Sequence, residues 1–312
     1  MESNFKNILL PIDGSAQSGI AQDMAVFLSK TFGSKVTLMH VFPKEPVSLP
    51  ERNFVERENY APISNATGQF PRTLKSPETK ESALPDEVAA EISEGYLTEG
   101  QELLSQATLR FEQEKIESQE RLMEGVNAAD TIITEAESGN YDLVIVGNSE
   151  GEGKELDLHL GSVAEKVSSS AAKIPVLIVR QKTKVTKIIV PVEGSGKDIN
   201  AFEKATAIAK AAGAKIVLLH VQEPHLLRLK PETKEIGVRI LKDAAAKFGE
   251  MPVEQKLQQG DPANLIIQEA EKEGADLIVM SRGGYSSFRN LFIGSVSSHV
   301  LHYVNVPLLL VK

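Results

Sequence analysis

Two glycine- and serine-bearing segments have the residue types and spacing to hold an anion. One reads Ser281-x2-Gly284-x9-Gly294-Ser295-Val296 and follows an apolar run ending in Met280; the other reads Gly151-x9-Gly161-Ser162 and follows the run DLVIV at 142–146. Glycine lets backbone N–H groups come close to a phosphate. A Gly-Ser pair opening a helix adds a hydroxyl and the positive end of the helix dipole. A carboxylate ends an earlier apolar run in each half: Asp13, two residues after Pro11, and Glu193, two residues after Pro191. Such a group can accept hydrogen bonds from ribose hydroxyls or a base amine, or it can cap the helix that starts near Ser15.

These segments come in pairs because the chain contains an internal repeat. Residues 6–43 align with 186–223 without a gap: Asp13 meets Glu193, Gly33 meets Gly213 and His40 meets His220, each 180 positions apart. The repeat resumes later at a spacing of 135, Gly125 with Gly260, so the first copy holds 180 − 135 = 45 additional residues in its middle. A repeat of this length means two copies of one domain. The boundaries fall at 1–181 and 182–312.

Within each copy, apolar runs bounded by turn residues alternate with stretches of helical period. The second copy has strands near 188–192, 215–221, 252–258, 276–280 and 307–311, with helices between them; the first has strands near 7–12, 35–41, 116–122, 142–147 and 175–180. Runs apolar on both faces, such as IVLLHV at 216–221, suit the interior of a parallel sheet. The expected class is therefore α/β, as two tandem doubly wound domains of five strands and four helices each. The first copy's insert, about 43–95, holds seven of the fifteen prolines, from Pro43 to Pro85. It is expected to lack helix or central strand over most of its length, as passive surface or as a lid or partner-binding arm.

Composition bounds the function. The chain has 312 residues, 41% of them hydrophobic, and a net charge of −9. That balance excludes general nucleic-acid binding, which needs a basic face. No cysteine is present, so thiolate metal sites and cysteine nucleophiles are excluded. No apolar stretch reaches membrane-spanning length, and Asp13 and Gly14 interrupt any secretory signal, so a cytoplasmic protein without membrane contact is expected. Residues 181–312 hold 18 Lys+Arg against 14 Asp+Glu, and the remainder 16 against 29. An anionic ligand should prefer the second half.

The chain resembles a tandem universal stress protein throughout, apart from the proline-rich insert. The family pattern is G-x2-G-x9-G-[ST] after the fourth strand, an Asp ending the first strand and a Val ending the second. The second copy carries Ser281-x2-Gly284-x9-Gly294-Ser295 with Val221, and departs at Ser281 and Glu193; the first carries Asp13, Val41 and Gly151-x9-Gly161-Ser162, with Asn148 at the first glycine position. Gly147 would serve there only in a loop one residue longer. The resemblance implies binding of ATP or another adenine nucleotide, with Mg²⁺ as an accompanying ion. Val41 or Val221 would face the base, Asp13 or Glu193 the ribose, and the glycines with Ser162 or Ser295 the phosphates.

Charge separates the copies. The 281–295 loop carries Arg282 and Arg289 and no acid, whereas the 147–162 loop carries Glu150, Glu152, Glu155 and Asp157 against Lys154, which favours the second copy. The acidic loop has no metal-loop spacing and reads as solvated. His40 and His220 read as hydrogen-bonded structural residues, and His299 with His302 as surface or interface residues. No Ser/His/Asp order, HExxH or P-loop lysine supports a hydrolytic role. The last strands, 174–180 and 306–312, are apolar and fall at a sheet edge. The resemblance implies that they pair with each other, with a homodimer as a further assembly. The functional expectation is a nucleotide-dependent stress regulator. The alternative is a nucleotide-independent scaffold whose pockets have degenerated.

Overall fold

The computed structural model describes residues 5–43, 86–148, 160–171, 173–181, 183–196, 198–223, 233–283 and 293–312. The apolar runs of the first repeat form β1 (Asn7–Pro11), β2 (Lys35–Pro43), β3 (Ser118–Gly125), β4 (Leu143–Gly147) and β5 (Val176–Val179). Between them lie α1 (Ala16–Phe32), α2 (Asp86–Gln113), α3 (Ala128–Ser138) and α4 (Ser162–Ser170). The second repeat gives β6 (Lys187–Pro191), α5 (Ile199–Ala212), β7 (Lys215–Gln222), α6 (Thr233–Ala246) and β8 (Val253–Gln259). It ends with α7 (Pro262–Glu273), β9 (Leu277–Ser281), α8 (Ser295–Tyr303) and β10 (Leu308–Val311). The helices α1 and α5 stop at the repeat-equivalent Gly33 and Gly213, both left-handed at φ 65° and 68°. A side chain there would crowd the backbone, which is why glycine ends both.

All ten strands form one sheet in the order β3-β2-β1-β4-β5-β10-β9-β6-β7-β8. Every neighbouring pair is parallel except β5 with β10 at the centre. Helices cover both faces, as a doubly wound sheet requires, because strands such as LVIV at 143–146 are apolar on both sides. One core layer joins Ile8, Leu10, Leu28 and Ile145 to Ile188, Val190 and Phe202; the opposite layer joins Leu9, Val144 and Val167 to Ile189, Ile278 and Val300. Both layers run unbroken from one repeat into the other.

The seam between repeats is antiparallel, with Leu308 opposite Ile178, Leu309 opposite Leu177 and Leu310 opposite Val176. Two buried arginines brace it. Arg180 donates to the Leu301 carbonyl at 2.6 Å, in the last turn of α8, and Arg282 donates to the Ala171 carbonyl at 2.6 Å, the C-cap of α4. Each guanidinium thus meets carbonyls that the end of the other repeat's last helix leaves without an intrahelical partner. Burial pushes both down to about 10. On the other face Lys204 lies 4.7 Å from the ring of Phe5, a cation over an aromatic face.

The helix α2 begins at Asp86, within the last part of the expected insert; the lid or arm reading falls on residues 44–85, which lie outside the described residues. Among the described residues no helix is long and apolar enough to cross a membrane.

The seam predicts a concrete stability effect. Leu309 is 1% exposed between β5 and β9. Leu309→Ala should cost about 2–5 kcal/mol, read as a lowered urea midpoint. An unchanged midpoint would show that the seam contributes little.

Candidate functional site

A doubly wound sheet opens a crevice outside the carboxyl ends of its strands, where the connections diverge. Between β1 and β4 of the first repeat this crevice is a cavity of about 160 Å³. Met39, Val41, Ile132 and Val146 give it an apolar floor, and Asp13, Ser15, Ser18, Gly161 and Ser162 line its polar side. The rim is organised by the start of α1. Ser15 Oγ accepts the Ser18 N–H at 3.1 Å and donates to Asp13 Oδ1 at 2.6 Å, which also accepts the Ser15 N–H at 3.0 Å. Ser15 is therefore the helix cap, and Asp13 orients it from an exposed position at the cavity mouth.

Two features of this cavity suit an anion. The Ser18 side chain lines it, the hydroxyl is buried and, among the described residues, has no hydrogen-bond partner, and leaving such a group unsatisfied costs on the order of 1–3 kcal/mol. The N-cap of α4 is Gly161, which makes no side-chain cap bond, and Ser162, Val163 and Ala164 of its first turn line the cavity at the positive end of the helix.

The first glycine of this loop is settled by strand register. Gly147 pairs with Val179 on β5, as Ser281 pairs with Val311 on β10, so Gly147 and not Asn148 holds the position of Ser281. The loop from 147 to 161 is one residue longer than that from 281 to 294. Glycine is required at 147 by packing: a Cβ would lie 2.6 Å from the Gln17 carbonyl oxygen at the start of α1. Asn148 serves instead as a loop brace, accepting the Gly161 N–H at 3.4 Å.

The second repeat answers the same geometry differently. The helix α5 begins at Ile199, three residues later than α1 in repeat register, and Asp198 occupies the position of Ser18. The Asp198 carboxylate is 3% exposed. It accepts the N–H of Glu193 at 3.1 Å and of Gly194 at 3.4 Å, and its other oxygen accepts the Ser281 hydroxyl at 3.0 Å. Ser297 in turn donates to the Ser281 carbonyl at 2.9 Å. Burial pushes the Asp198 carboxyl up, and the hydrogen bonds from Ser281, Glu193 and Gly194 pull it back.

The charge argument for the second repeat is corrected on two counts. Arg282 does not face the loop; its guanidinium is buried against the carbonyls of Ala171 and Ile174 across the seam. A carboxylate, Asp198, stands beside Ser281 where the loop sequence shows no acid. Of the remaining expected residues, Pro191 ends β6, Val221 lies on β7, Met280 is buried in β9, Glu193 is exposed, and Gly294 caps α8 ahead of Ser295 and Val296. Gly151 and Gly284, with Arg289 and the acids from Glu150 to Asp157, lie outside the described residues. His40 and His220 donate through Nδ1 to the carbonyls of Ile12 and Val192, both at 2.7 Å, since a carbonyl can only accept. They hold the end of the first strand of each repeat to the second. His302 Nε2 lies 3.3 Å from Glu165 across the seam, and His299 packs on Tyr303 at 4.6 Å. Among the described residues no three His, Asp or Glu side chains gather as a metal site.

The model of the universal stress protein family matches residues 4–59, 73–180 and 184–312. The chain belongs to that family. The universal stress protein Slr1230 of Synechocystis sp. is 24% identical over 313 residues, covering 98% of this chain and 99% of its own. A crystal structure of a universal stress protein from Archaeoglobus fulgidus superposes with a TM-score of 0.66 at 22% identity, covering 100% and 99% of the two chains. A universal stress protein solved in complex with cAMP covers 41% of this chain at 23% identity and a TM-score of 0.35. These full-length matches agree with two universal stress protein units in tandem on a doubly wound α/β fold.

Sequence reasoning missed Ser18 and Asp198. The signal was available, since the two are 180 positions apart inside the gapless part of the repeat and exchange a hydroxyl for a carboxylate. Neither belongs to the glycine pattern, so only the hydrogen bonds show what they do.

Two measurements follow. Gly147→Ala should lower stability by about 1–3 kcal/mol through overpacking against the Gln17 peptide, and an unchanged thermal midpoint would refute the close contact. For Asp198 the folded carboxyl sits above its ordinary 3.8, so the folded state holds the proton more tightly than the unfolded one. Its charge therefore opposes folding above the raised value, and the penalty is relieved as pH falls from there toward 3.8. The urea midpoint of wild type relative to Asp198→Asn should rise between pH 7 and pH 4; a flat difference would mean that the carboxyl is not held above its ordinary range.

Proposed function

We propose that this universal stress protein binds ATP or a related adenine nucleotide, with Mg²⁺, in the first-repeat cavity, and acts as a nucleotide-dependent regulator in the stress response. The observation that carries this reading is the shared lining of one cavity: apolar Val41, Ile132 and Val146 for a base, Asp13 for ribose hydroxyls, and Gly161 and Ser162 at the start of α4 for phosphates. A base, a sugar and an anion need those three kinds of surface in one crevice. The first repeat is preferred over the second because Ser18 puts a neutral residue beside its cavity, while Asp198 brings a buried carboxylate to the equivalent place. Two negative groups about 4 Å apart at an effective dielectric of 20 repel by about 4 kcal/mol. No water-activating group is assigned, so the reading is binding and not hydrolysis. The β5–β10 seam is read as an internal dimer that places the two units back to back.

Titration calorimetry of Mg·ATP into wild type, Gly161→Val and Gly294→Val tests the assignment. Wild type should bind one nucleotide per chain, Gly161→Val should weaken binding at least tenfold, and Gly294→Val should leave it unchanged. Loss confined to the Gly294 variant would move the site to the second repeat, and no binding of ATP, ADP or AMP by wild type would reject the reading.

A further inference from the structure

We infer that Asp198 closes the second repeat to anionic ligands by acting as a built-in anion, and that the Ser18/Asp198 difference decides which repeat binds. This rests on the reading that the first-repeat cavity takes a nucleotide, and it adds the residue that sets the number of sites.

The geometry is that of a liganded anion site whose ligand is covalently attached. Two consecutive backbone N–H groups, of Glu193 and Gly194, converge on one carboxylate oxygen, and the Ser281 hydroxyl donates to the other. Successive amides aimed at one oxygen, with a hydroxyl opposite, are what a phosphate or carboxylate ligand seeks. All three donors lie at the carboxyl ends of β6 and β9, the counterpart of the first-repeat cavity between β1 and β4. The carboxylate is 3% exposed, so an arriving anion would have to displace it into solvent or sit beside it.

The first repeat is the internal control. At the equivalent position Ser18 is 4% exposed and lines the cavity with a neutral side chain, its hydroxyl buried beside it and, among the described residues, without a hydrogen-bond partner. The repeats also differ in the backbone that carries the switch. In the first, α1 starts early and its Gln17–Ser18 peptide packs against Gly147, so no side chain fits at 147. In the second, the later start of α5 draws the chain back, a Cβ is tolerated at 281, and its hydroxyl reaches Asp198. Serine at 281 and aspartate at 198 therefore form one coupled change. Both replacements depart from the first repeat, and each contributes one partner to the same hydrogen bond.

The experiment is calorimetric titration of Mg·ATP into wild type, Asp198→Ser and Ser18→Asp, with thermal unfolding to confirm that each variant folds. Asp198→Ser should raise the stoichiometry from one to two nucleotides per chain, the added site disappearing in Asp198→Ser/Gly294→Val. Ser18→Asp should weaken first-repeat binding at least tenfold, and this arm decides if Asp198→Ser fails to fold. Stoichiometry that stays at one in folded Asp198→Ser, or unchanged affinity in Ser18→Asp, overturns the inference. A wild type that binds no nucleotide while Asp198→Ser binds one would reject the first-repeat assignment yet sustain the role of Asp198. Wild-type binding abolished by Gly294→Val would overturn the role of Asp198 while leaving nucleotide binding intact.

Discussion

An apolar strand at the edge of a parallel sheet cannot be left in water, and the pairing of β5 with β10 satisfies that constraint for both repeats at once. Leu177, Ile178, Leu308 and Leu309 are all 2% exposed or less, and each is worth about 1.5–3 kcal/mol when removed from solvent. Their unpaired backbone groups would otherwise template association with other chains. With the two edges joined, the core layers on both faces run continuously through ten strands. The antiparallel direction of the seam brings the end of one repeat's last helix to the arginine of the other. Arg180 and Arg282 are then spent on helix carbonyls, at a visible electrostatic cost from burial.

That use of Arg282 shapes the chemistry of the second crevice. Arg282, one of the two arginines of the 281–295 loop sequence, is turned into the seam, and Asp198 adds the opposite charge beside Ser281. The first crevice has a neutral residue, Ser18, where the second has Asp198, and is lined by Gly147 and the first turn of α4. Duplication preserved the scaffold because the scaffold is set by strands that must stay apolar. The crevices are set by a few side chains at strand ends, and those were free to diverge.

Much of the fold was legible beforehand because its signals are local and repeated. Strand runs such as IIVPV and IVLLHV, glycine stops at 33 and 213, and a gapless alignment of two copies point to the same elements from independent directions. The insert was read less well: proline marks where a helix cannot be, but it does not say where α2 resumes, and that is Asp86. In the site, Asp13, Gly161 and Ser162, named from their place in the repeat, and Val41, named from the family resemblance, line one cavity. For the first glycine the sequence left two readings, Asn148 or Gly147 in a loop one residue longer, and strand register decides for Gly147.

The sequence by itself determined the α/β architecture, the twofold repeat and the strand ends at which a ligand could sit, because periodicity and glycine spacing are properties of the chain. Only the tertiary structure decided the direction of Arg282, the equivalence of Gly147 with Ser281, and the capture of the Glu193 and Gly194 amides by Asp198. The physical reason is that charge acts through distance and burial in space. A residue type can be read from a loop, but its partner 83 or 111 positions away cannot.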